Sequence, residues 1–101
     1  MQNACHTMKE GEILNLEYPQ YPLYQAVLYG DKIATAKLSK RLSCAIKHLP
    51  LRVQFHYEYK TQKAVDAGIQ KDPTLVLEGE IFLEGLVSAE EITKAFEKLE
   101  G

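Results

Sequence analysis

The chain has 101 residues, 46% of them hydrophobic and 26% charged, with 12 Lys plus Arg against 14 Asp plus Glu for a formal charge of −2. That length fits one domain, and the composition excludes disordered, collagen-like and low-complexity classes. The slightly acidic balance argues against binding nucleic acid through a basic surface. The N-terminus has no basic stretch leading into an apolar run, and no apolar run approaches the ~20 residues that span a bilayer, so a cytoplasmic protein without a membrane segment is expected. Two cysteines, Cys5 and Cys44, are too few and too far apart in sequence to read as a disulfide framework, so both are expected to be free thiols.

Residues 1–23 differ in texture from the rest and are set apart as an extension to a domain spanning 24–101. In the extension, Ile13, Leu14 and Leu16 can form a short strand that adds to the sheet. Tyr18-Pro19-Gln20-Tyr21-Pro22 has two prolines that oppose helix and favour extended geometry. It reads as a connector over the core edge, with a Tyr/Pro ligand for a partner groove as the alternative.

Tyr24–Tyr29 reads as a central strand ending in the Gly30-Asp31 break, where Asp31 can cap a helix. Ala34, Leu38, Leu42, Ala45, Ile46 and Leu49 recur at three- and four-residue steps, predicting an amphipathic helix over 32–48 that Pro50 helps to stop. Leu51, Val53, Phe55 and Tyr57 alternate with Arg52, Gln54, His56 and Glu58, the period-two pattern of a strand with one wet face, suited to a sheet edge. One or two helical turns follow over 60–69. Leu75–Leu77 and Ile81–Leu83 flank Gly79 as a tight hairpin, and their successive apolar residues predict burial on both faces. Ser88 and Glu91 stand at capping-box spacing, with Val87 and Ile92 placed as a staple, before a last helix whose inward stripe is Ile92, Phe96 and Leu99.

This order, with the run from Asp72-Pro73-Thr74-Leu75-Val76-Leu77-Glu78-Gly79 through Gly85 to the capped last helix, resembles the small thioredoxin-like domains. The resemblance covers about residues 24–99. It implies an α/β fold, β-α-β-α-β-β-α, with a four-stranded mixed sheet, helices on both faces and room for an extra N-terminal strand. It also makes Pro73 the candidate cis-proline. The family's C-x-x-C falls on Gly30–Ala36, where Ile33 and Ala36 replace the two cysteines, so dithiol exchange is not available there.

What the resemblance leaves is a groove between the helix start and the proline loop, lined by Asp31, Lys32, Ile33, Thr35, Ala36, Asp72, Pro73 and Thr74, that in redox-active relatives receives an extended peptide. Asp72 departs from the family pattern; it either faces Lys32 across the groove or terminates the turn. Cys44 reads as a boundary residue late in the helix and Cys5 as an incidental terminal thiol beside His6. Cys5, His6, Cys44, His48 and His56 match no compact metal pattern, so no metal and no cofactor is expected, with His48 a helix-end charge and His56 a solvated residue. The leading expectation is a redox-inactive domain that binds a protein or peptide partner. The rivals are a weak monothiol oxidoreductase using Cys5 or Cys44, and a homodimer formed through strand 51–58 or the Tyr/Pro segment.

Overall fold

A computed structural model describes residues 5–100. The elements run β1 (Ile13–Leu14), β2 (Leu23–Tyr29), α1 (Lys32–Ile46), β3 (Arg52–Glu58), α2 (Thr61–Asp66), β4 (Thr74–Leu77), β5 (Glu80–Glu84) and α3 (Ala89–Glu100). The five strands form one mixed sheet in the order β1-β3-β2-β4-β5. The domain is therefore mixed α/β with one strand more than the four of the basic expectation, because Ile13–Leu14 pairs antiparallel with Gln54 and Val53. That pairing also moves β3 off the edge assigned to it from its wet face.

The period-two patterns decide the core. Parallel register sets Tyr24 beside Val53, Ala26 beside Phe55 and Leu28 beside Tyr57, and antiparallel register sets Ala26 beside Leu77 and Leu28 beside Leu75. These residues share one sheet face. Onto it fold Leu38, Leu42, Ala45 and Ile46 of α1 and Ile92 and Phe96 of α3, all buried. Burying side chains of this size stabilises by about 1.5–3 kcal/mol each. Phe96 also packs its ring against Phe82 at 4.9 Å between centroids.

Both predicted helix starts have the expected capping bonds. Asp31 accepts the Ala34 N–H at 2.7 Å. Ser88 Oγ accepts the Glu91 N–H while Glu91 Oε1 accepts the Ser88 N–H, both at 3.1 Å.

Several expectations are corrected. Leu99 is 41% exposed, so the α3 stripe ends at Phe96. The hairpin is not buried throughout: β4 is, but β5 is the sheet edge and Ile81 is 44% exposed. The short helix α2 buries none of its own residues, and its Ala64 and Val65 line a depression together with Tyr29 of β2.

The opposite sheet face sets Val27 beside the buried Val76 of β4, and toward β3 it is polar and internally paired. Gln54 Nε2 donates to the Gly11 carbonyl, which leaves Gln54 Oε1 to accept from Gln25 Nε2 and Gln25 Oε1 to accept from His56 Nε2. The other ring nitrogen of His56 lies 2.7 Å from Glu10 Oε2. His56 is thus built into a network, not left to solvent as its wet-face position suggested.

Residues 5–12 form a strap along α1 and the edge of β3. Met8 is 2% exposed and joins the core. Its N–H donates to Ser39 Oγ and its carbonyl accepts the Tyr57 hydroxyl. Ser43 Oγ donates to the His6 carbonyl, and two backbone bonds reach across to β3, from the Gly11 N–H to the Phe55 carbonyl and from the Phe55 N–H to the Glu12 carbonyl. Beyond β1, buried Asn15 takes a positive φ of 64° and its amide donates to the carbonyls of Ile46, Leu49 and Leu51, tying the end of α1 to the start of β3.

The strap overturns the free-thiol expectation. Cys5 and Cys44 are joined in a disulfide with Cα atoms 5.2 Å apart. Their 39-residue separation set no limit, because the strap folds back along α1. The bridge also removes the premise for assigning a reducing compartment. Among the described residues no helix is long and apolar enough to cross a membrane.

A bridge closing a loop of this length restricts the unfolded chain by about 4 kcal/mol on a chain-entropy estimate. Cys5→Ser/Cys44→Ser is expected to lower the unfolding free energy in urea by about 2–4 kcal/mol while the strap stays ordered. An unchanged urea midpoint would show that the bridge adds nothing. Asn15→Ala, which leaves buried carbonyls without donors at a position disfavouring alanine, is expected to cost about 1–3 kcal/mol in the same measurement.

Candidate functional site

The site is built where β2 stops. Gly30 takes φ 143° and donates its N–H to the Glu58 carbonyl at 3.2 Å, holding the ends of β2 and β3 together. A Cβ on Gly30 would lie 2.1 Å from Asp72 Oδ1 and 3.2 Å from Pro73 Cα, so only glycine lets the two loops touch. Through that gap the Asp72 carboxylate accepts the Asp31 N–H, at 3.1 and 3.3 Å to its two oxygens. This replaces both readings of Asp72: it neither faces Lys32 nor merely ends its own turn, but fastens the proline loop to the helix start.

The rest of the loop is equally constrained. The Asp72–Pro73 peptide is cis. Pro73 accepts the Gly85 N–H at 2.7 Å, and Thr74 Oγ1 donates to the Lys71 carbonyl at 2.6 Å. Thr35 Oγ1 donates to the Asp31 carbonyl at 2.9 Å.

Of the residues assigned to the groove, Asp31, Lys32, Ile33 and Asp72 reach the surface, whereas Thr35, Pro73 and Thr74 are buried and support it from below. Ala36 is half-buried, and its carbonyl accepts the strap's Thr7 hydroxyl at 3.3 Å. Lys32 sends its ammonium over the Tyr59 ring, 5.6 Å from the centroid, a cation–π contact in place of the envisaged pairing with Asp72.

Beside this junction lies a depression of about 250 Å³ whose walls are Tyr29, Tyr59, Ala64, Val65 and Ile69, with Asp72 at one margin. Four large apolar side chains stand exposed around the same end: Ile33 at 72%, Val65 at 59%, Tyr59 at 46% and Leu86 at 38%. Ile33 and Leu86 share a second shallow depression with Asp31 and Lys37. Sequence reasoning missed Tyr59, Val65 and Leu86. The available signal was that a short helix bearing an exposed valine has no core to serve. Among the described residues no group of three or more His, Cys, Asp or Glu is placed to hold a metal ion.

The charges at the junction favour the ionised cap. The Ala34 N–H holds the Asp31 carboxyl below its ordinary value of 3.8 against desolvation, with the Asp72 side chain, the Ile33 N–H and the Lys37 charge acting the same way. Chemically the arrangement offers a concavity with apolar walls among which Lys60, Thr61, Gln70 and Lys71 also stand. No protein-family model matches the chain, and no curated protein matches it in sequence.

Gly30→Ala is expected to cost about 1–3 kcal/mol from the strained backbone and the displaced Asp72 carboxylate. Hydrogen exchange should show the Asp31 amide losing protection. Because the Asp31 carboxyl is lowered on folding, its contribution is present above 3.8 and is lost as pH falls through the folded value. Asp31→Asn keeps a cap without a titrating group, so the melting temperatures of wild type and variant should converge or cross below that pH; a constant difference from pH 6 to 2.5 would exclude the linkage.

Proposed function

We propose that the chain is a thioredoxin-like domain that has lost dithiol chemistry at its first helix and binds an extended protein segment at the proline-loop end. The observation that carries the binding reading is the presence of four exposed apolar side chains at the proline-loop end, Tyr59 and Val65 lining one depression and Ile33 and Leu86 another. Exposed apolar clusters rimmed by polar groups are characteristic of binding surfaces. The element order from β2 onward and the cis bond ahead of β4 support the fold reading. Ile33 and Ala36 at the helix start support the absence of dithiol exchange.

The chemistry of the concavity describes its ligand. An apolar side chain enters between Tyr59, Val65 and Ile69, and Lys32, Lys60 and Lys71 favour an acidic residue beside it. The run 70–72 is exposed and lies outside the sheet, where an extended segment can lie alongside it. Asp72 is a poor residue for a binding test, since its carboxylate holds the Asp31 N–H.

Selection of displayed random peptides on the wild-type domain should therefore enrich sequences with an apolar residue next to an acidic one. Binding of a selected peptide is expected to fall at least tenfold, about 1.4 kcal/mol, in Tyr59→Ala/Val65→Ser, whose melting temperature should stay near that of the wild type because both side chains are exposed. Equal affinity for the variant, or no enrichment at all, would overturn the assignment of this concavity.

A further inference from the structure

The Cys5–Cys44 bridge lies on the outer side of α1, far from the proline-loop end, and neither cysteine is buried. Cys44 lines a depression of about 260 Å³ with Lys37, Lys40, Arg41 and Ala89. Positions 37, 40, 41 and 44 share a helix face by their three- and four-residue spacing. The α1 side of this depression is cationic, since from Lys32 to Tyr57 the chain carries Lys32, Lys37, Lys40, Arg41, Lys47 and Arg52 and no Asp or Glu, while its other side is the start of α3 at Ala89, followed by Glu90 and Glu91. Arg41 is held in place by donating to the carbonyls of Leu86 and Val87, at 3.2 and 3.0 Å. The Cys5 side differs, since its depression includes Glu12 and Glu17 beside His6 and Lys47.

The bridge is also redundant for holding the strap. Met8 in the core, Ser39, Ser43 and Tyr57 on their partners, and the backbone bonds of Gly11 and Glu12 with Phe55 fix residues 6–12 without it. Opening the bridge therefore frees Cys5 without unpacking the fold.

We propose that the Cys5–Cys44 bridge is a thiol-exchange site selective for small thiols that carry a carboxylate. The thiol's carboxylate seats against Lys37, Lys40 and Arg41, and its thiolate attacks Cys44 Sγ. A new sulfur–sulfur bond forms to Cys44 as the bond to Cys5 breaks, and Cys5 leaves as a thiolate that takes a proton from solvent. A second molecule of the thiol attacks the first molecule's sulfur and releases Cys44 as a thiolate, which is protonated in turn. The net change converts two thiols and the bridge into one small-molecule disulfide and two cysteine thiols; the protein gains two electrons and two protons, and the small thiol supplies both. Positive charge by the attacked sulfur raises the local concentration of an anionic thiolate, and that gain is screened by salt. This inference is independent of the peptide-binding reading.

The test uses three thiols of similar size and different charge: 3-mercaptopropionate, 2-mercaptoethanol and cysteamine. The full-length oxidised protein is exposed to each at low ionic strength, quenched with acid, and its mixed disulfides are located by peptide mass mapping. Per thiolate, 3-mercaptopropionate is expected to react roughly three- to tenfold faster than 2-mercaptoethanol, with cysteamine slowest. The adduct should sit on Cys44, and the preference should vanish in ~0.5 M salt and in Lys37→Gln/Lys40→Gln, whose fold is checked by its melting temperature. Equal rates for the three thiols, a preference unchanged in the folded variant, an adduct confined to Cys5, or a bridge that opens only in denaturant would each overturn the proposal.

Discussion

Strand β2 is the seam on which the structure depends. It is the central strand of the five, pairing parallel to β3 on one side and antiparallel to β4 on the other. A parallel neighbour cannot be reached by a tight turn, so the chain must cross over, and α1 is that crossover. The crossover leaves from the C-terminal end of β2, and β4, running the opposite way, enters at that same end. The turn into α1 and the loop into β4 are thus forced together. Gly30 is the consequence: two backbones meet where a Cβ would collide with Asp72, and the contact that results is the Asp72 carboxylate on the Asp31 N–H. The candidate site follows from topology before any ligand is considered.

What was legible in the sequence divides by range. Elements with a period declared themselves, because the alternation of Val53, Phe55 and Tyr57 and the spacing of Leu38, Leu42 and Ile46 each encode which side faces the core. Caps were legible too, since Asp31 and Ser88 bond to backbone only three residues away. The strap was not legible. Its contacts join residues about thirty or more apart, and nothing local in the sequence marks Ser39 and Ser43 as sockets for Met8 and His6. The disulfide was lost for the same reason: a pairing that depends on where a non-periodic segment folds back has no local signature. Nothing local in the sequence marks Asn15, whose amide serves three carbonyls.

Within the site, the residues that touch backbone were easier to find than those that would touch a ligand. Asp31 and Pro73 were identified by capping and by resemblance, and both serve the junction itself. Tyr59 lies in the connection between β3 and α2 and Val65 on a six-residue helix, so neither shows a periodicity, and their exposure appears only once the fold excludes them from the core. A binding surface is, in this sense, what remains apolar after the core has taken its share, and that remainder depends on every packing choice before it.

Helix α1 separates the two places where chemistry or binding is assigned. Asp31 caps its start and Cys44 lies thirteen residues on, a rise of about 20 Å, while its inner face is locked into the core through Leu38, Leu42, Ala45 and Ile46. A change at the bridge cannot tilt a helix so held without unpacking α3 as well. What can pass along α1 is charge: Lys37 borders both the cationic depression at Cys44 and the apolar one at Ile33, and its field already acts on the Asp31 carboxyl. Salt screens that charge at both depressions, while the scaffold of the concavity stays as β2, Gly30 and Asp72 set it.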